Sequence, residues 1–168
     1  MRGERGREAR ARRVEESAFG VIYGAITVLS LLMAFPAAED DAVRAALVLF
    51  GSIVAVVLAK AFAEISAETL RTGRRLGRTG LVAAWRHSRT SLVAANGPSL
   101  AIALSATGLY PFASGVVLAQ LLAVALLAAY GFRIGSVVYG GRILPATLHG
   151  AFTGGTGVVL AALKYLLH

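Results

Sequence analysis

Cysteine is absent from this 168-residue sequence, which excludes disulfides, thiolate metal sites and thiol catalysis. Charge is scarce as well. Asp, Glu, Lys and Arg together make up 15% of the residues, against about a quarter in a soluble domain. The sequence holds no HExxH, no GxSxG and no P-loop, and no paired carboxylates lie inside its apolar runs. No enzymatic activity and no cofactor are therefore expected. What is present is apolar: 57% of the residues are hydrophobic and the mean hydropathy is +0.69. The length suits one domain, and the apolar residues fall in runs too long for a soluble core of this size to bury. A cytosolic enzyme, a disordered tail and a secreted disulfide scaffold are excluded. An all-α integral membrane protein remains.

A helix needs about 20 apolar residues to cross a bilayer core. Five runs approach that length, at 18–35, 42–64, 91–109, 112–132 and 143–167, and the second continues as a polar helix past Glu64 and Glu68. Backbone in lipid must satisfy its own hydrogen bonds, and no period-two alternation suggests a barrel, so these runs read as helices. Residues 1–17 form a basic segment ahead of a single five-helix membrane domain, 18–168, with a basic connector at 67–90. The first run is too long for a cleaved signal peptide and is followed by four more, so it reads as a retained helix. The third is interrupted by Asn96-Gly97-Pro98, where a proline removes one helical hydrogen bond.

The formal charge of +8 is distributed unevenly. Six arginines precede the first run, and six more (Arg71, Arg74, Arg75, Arg78, Arg86 and Arg89) lie between the second and third. Arg133 and Arg142 follow the fourth, while only Arg44 and Lys164 stand on the other side. By the positive-inside rule the N-terminus is cytoplasmic and the C-terminus outside, in a multi-pass cell (inner) membrane protein. The isoelectric point near 10.8 does not indicate nucleic acid, because the basic residues flank spans and lack interleaved aromatics. Anionic inner-leaflet lipid is the simpler partner. The stretch Leu70 to Arg89 mixes Leu76, Leu81 and Trp85 with Arg74, Arg75, Arg78 and Arg86. It reads either as short interfacial helices, with Trp85 at headgroup depth, or as a solvated basic loop.

Ionisable and polar residues at membrane depth are functional candidates by default. Lys60 and Glu64, spaced i,i+4, share one helix face. They form either a cation or proton site at a cytoplasmic vestibule or a self-neutralising pair reaching for the interface. His149 could shuttle protons or bind a metal with a partner, or it could simply be hydrogen-bonded to another helix. Asn96 marks either a broken helix exposing carbonyls to a cavity or a packed kink. Tyr23 stands between Gly20 and Gly24, and Gly150 and Gly154 repeat that GxxxG spacing, which lets helices approach closely.

The order of these features resembles the vacuolar iron transporter group, including its nodulin-like members. In that family the first helix carries a pattern like F-G-x-x-D-G-x-x-T, matched here by Phe19-Gly20-Val21-Ile22-Tyr23-Gly24-Ala25-Ile26-Thr27. The second carries S-M-A-x-G-E-Y, against Ala59-Lys60-Ala61-Phe62-Ala63-Glu64-Ile65. Similar glycine-basic endings occur at Gly131-Phe132-Arg133 and Gly140-Gly141-Arg142, and the alanine-rich close at Ala161-Ala162-Leu163-Lys164-Tyr165. The resemblance implies five helices, a homodimer with its pathway along the first helices, and small-ion transport of a metal cation or proton. Two ligand positions depart from it: Tyr23 replaces the metal-binding aspartate and Lys60 the methionine. Glu64 alone is retained as a candidate metal ligand. The expected function is accordingly a divergent small-ion transporter with an altered site. The alternative is a non-transporting structural or partner-binding membrane subunit that shares the fold.

Overall fold

The computed structural model describes residues 2–33, 35, 41–73, 82 and 90–167. Among these the chain is helical, with no strand. Its helices are α1 (Arg2–Met33), α2 (Ala42–Thr72), α3 (Thr90–Ser105), α4 (Phe112–Val138) and α5 (Ile143–Leu167). Three are long and apolar enough to cross a bilayer: α2, α4 and the Ile143–Leu160 part of α5. The apolar parts of the other two, Ala18–Met33 and Ser91–Ser105, are shorter.

Several boundaries differ from those expected. α1 does not begin at Ala18 but continues unbroken through the basic segment from Arg2. α2, by contrast, continues as a polar helix past Glu64 and Glu68 as expected, to Thr72, and Arg71 there donates two hydrogen bonds to Glu68 at 3.0 and 2.9 Å. These bonds and the carboxylate charge raise the Arg71 pKa. The helix starts where Asp41 accepts the Arg44 N–H at 2.9 Å. It stops at Gly73, whose φ of 64° is open to glycine at little steric cost. α4 continues past residue 132 to Val138.

The third helix needs the largest correction. It is not broken at Asn96-Gly97-Pro98, and Pro98 lies inside continuous helix. Proline costs about 3 kcal/mol there. Its ring is fully buried, and Ala94, Ala95, Ala101 and Ile102 on either side of it pack into the core, which offsets that cost. The helix then stops at Ser105, short of Leu109. The Tyr110 hydroxyl donates to the Ala101 carbonyl, and Ser105 Oγ donates to that of Ile102. Such side-chain capping satisfies carbonyls that a helix end leaves open.

Contacts between helices define an up-and-down bundle. A Cβ built on Gly24 of α1 would meet Ser91 at the start of α3. One on Gly115, early in α4, would meet Ser105 at the end of α3, and one on Gly135, late in α4, would meet Ala146 early in α5. One on Gly157 would meet both Leu127 of α4 and Leu29 of α1. Together with the short 106–111 and 139–142 connections, this register alternates the helix directions. The N-terminal part of α1, Arg71, Arg133 and Arg142 fall at one end of the bundle, and Arg44 at the other.

α1 is central and touches all four other helices, while α4 and α5 share the most extensive interface. The core is built from Val21, Ala25, Leu29 and Leu32 of α1 with Leu49, Ile53, Ala94, Ile102, Ala119 and Leu127 around them. Its few polar members include Ser91, Ser99 and Ser105. Large apolar side chains cover the outside instead, with Leu144 73% and Phe152 77% exposed. Such a surface is the reverse of what water tolerates.

Candidate functional site

Two of the sequence candidates, Tyr23 and Lys60, meet at the seam between the early apolar part of α1 and the late part of α2. Phe19 and Tyr23 are one helical turn apart on the outward stripe of α1, so their rings stack, with centroids 6.2 Å apart and planes 14° from parallel. Lys60 reaches across from α2. Its Nζ lies 4.3 Å from the Phe19 ring centroid and 6.0 Å from that of Tyr23. A cation over a ring face is attracted by the ring quadrupole. The Nζ is closed off from solvent and makes no hydrogen bond among the described residues. Both readings of Lys60 and Glu64 are compatible with this geometry: the exposed Glu64, one turn on, makes no hydrogen bond to the Nζ, which lies against the rings, but its charge still acts on the lysine. Phe19 was not singled out in the sequence, although its i,i+4 spacing from Tyr23 was a usable signal.

The remaining candidates lie elsewhere. Asn96 is exposed on α3, where the helix is continuous. His149 is half-buried on α5, where its Cβ is 3.0 Å from the place a Cβ on Gly135 would take, and its carbonyl accepts the Thr153 hydroxyl at 2.9 Å. It forms part of the wall between α4 and α5. Among the described residues no group of three or more His, Asp or Glu could hold a metal ion. Arg74, Arg75, Arg78, Trp85 and Arg86 lie outside the described residues. Val82, within the same connector, is exposed.

The glycines have partners within the chain. Gly20 and Gly24 are buried. A Cβ on Gly24 would stand 2.7 Å from the Ser91 carbonyl oxygen, so that face of α1 is already filled by α3. Gly150 and Gly154 meet Ala128 of α4, with built Cβ distances of 2.9 Å to its carbonyl oxygen and 3.0 Å to its Cβ. Gly131 completes the arrangement from the α4 side, 2.6 Å from the Thr153 side chain. This is small-residue packing of the kind that brings membrane helices together without a hydrophobic driving force. The chain matches no model of a known protein family, no curated protein and no solved structure.

Proposed function

We propose that the chain is a multi-pass protein of the cell (inner) membrane. It crosses five times, with the N-terminus cytoplasmic and the C-terminus outside, and serves there as a non-transporting subunit that assembles with a partner. The membrane reading is supported by three helices of spanning length, by the apolar exterior and by the gathering of Arg71, Arg133 and Arg142 at one end of the bundle. The shorter apolar parts of α1 and α3 are matched to the bilayer by local thinning and by flanking residues. Anionic inner-leaflet lipid faces the basic end.

One observation carries the choice of subunit over transporter: an ammonium group already occupies the α1–α2 seam, packed on Phe19 and Tyr23. A divalent ion prefers oxygen or nitrogen donors with no cation beside them. A second reading, passage of a small ion, is favoured by the exposure of Glu64 beside this cluster, and keeps Tyr23, Lys60 and Glu64 as its path. The partner implied by the resemblance is a second copy joined along α1. Gly24 itself is committed to α3, so that face of α1 is not free for the contact.

Ion flux into proteoliposomes separates the two readings. A subunit gives metal and proton flux equal to that of protein-free vesicles. Flux that vanishes in Glu64→Gln establishes the transporter instead. The mass of the detergent-solubilised particle, determined by light scattering, tests the dimer.

A further inference from the structure

We infer that the α1–α2 seam is a binding site for the phosphate of an anionic phospholipid of the inner leaflet, with Lys60 as its donor. Lys60 comes about 27 Å along α2 from Ala42 at 1.5 Å per residue, which brings it to the border between hydrocarbon and headgroups. An ammonium offers three N–H donors. Two ring faces supply attraction but no acceptor lone pair, and the Lys60 Nζ has no hydrogen-bond acceptor among the described residues. Glu64, one turn away, acts on the ammonium through its charge but accepts no hydrogen bond from it.

The surroundings suit a lipid better than a free anion. Phe19 is 58% and Tyr23 44% exposed, so aromatic surface flanks the seam, and a tyrosine ring favours the interface. A phosphodiester takes the N–H donors while its acyl chains lie along these rings. Phe19, which covers the ammonium, is exposed on its outer side, and exposed side chains change rotamer within nanoseconds. It moves aside as the headgroup enters. The basic end of the bundle raises the local concentration of anionic lipid.

The sequence contains only two lysines, Lys60 and Lys164, so reductive methylation reads the site directly. The full chain is purified in neutral detergent and titrated in parallel with phosphatidylglycerol, phosphatidylcholine and inorganic phosphate, and Lys60 modification is scored against Lys164. Phosphatidylglycerol should slow Lys60 methylation by about tenfold, the factor expected of a charge-assisted hydrogen bond, while the other two leave it unchanged. Native mass spectrometry should show the same loss of bound phosphatidylglycerol in Lys60→Gln and its retention in Lys60→Arg.

No protection of Lys60 by phosphatidylglycerol overturns the inference, as does equal lipid retention in Lys60→Gln. Equal protection by inorganic phosphate makes this a free-anion site, and equal protection by phosphatidylcholine removes the charge selectivity; either overturns the assignment. The inference rests on the membrane reading, whose failure shows separately as a chain that stays soluble with no detergent.

Discussion

The α4–α5 seam and the α1–α2 seam are built on opposite plans. Between α4 and α5, Gly131, Gly135, Gly150, Gly154 and Gly157 bring backbones so close that a single added Cβ would fall within 3.1 Å of a neighbouring atom. Between α1 and α2, bulky Phe19 and Tyr23 hold the helices apart around a charged side chain, and contact is sparse. In lipid, where burying apolar surface brings no gain, close backbone packing supplies cohesion. The first seam is structural scaffold. The second is a looser contact in which an ammonium group lies against two rings.

The sharpest test of this contrast is Gly131→Val. With its Cβ 2.6 Å from Thr153, the variant should lose about 3 kcal/mol or more, seen as an earlier unfolding midpoint in a denaturing-detergent titration. An unchanged midpoint would show that the hairpin is looser than its geometry. Gly24→Val tests the α1–α3 contact in the same assay and should cost about 2 kcal/mol, because the Ser91 carbonyl at 2.7 Å is backbone that cannot swing away.

On the other plan, Lys60→Met should be tolerated and should gain about 1 kcal/mol. The removed ammonium is costly near the membrane, and its ring contacts return only part of that cost. A loss as large as that of Gly131→Val would erase the distinction between the seams. The smallest effect belongs to Gly155→Ala. No atom lies within 4 Å of the added methyl, so helix propensity alone should stabilise the chain by about 1 kcal/mol or less. A clear loss in that variant would reveal a neighbour on the outer face of α5.

Much of this was legible before the structure. Apolar runs located the five helices of the described residues, because long apolar stretches announce themselves by composition. Boundaries were less legible. α1 outlasts its apolar stretch at the N-terminal side, since Glu, Arg and Ala are good helix formers in water as well. At Asn96-Gly97-Pro98 the sequence left a broken helix and a packed kink both open, because proline's local cost is visible in sequence while the burial of Ala94, Ala95 and Ile102 around it is not. The early end of α3 depends on Tyr110, nine residues beyond the carbonyl it meets. At the site, the i,i+4 relation of Lys60 and Glu64 predicted a shared face but not a partner. The partner came from α1, a choice that only tertiary structure makes.

The unbroken course of α1 has a mechanical consequence. About 48 Å of rod, 32 residues long, passes from the arginine-rich stretch into the middle of the bundle with no joint where the basic stretch meets the apolar one. A torque applied to the outer stretch cannot be absorbed by a hinge there. It arrives in the interior as a rotation felt by every other helix at once.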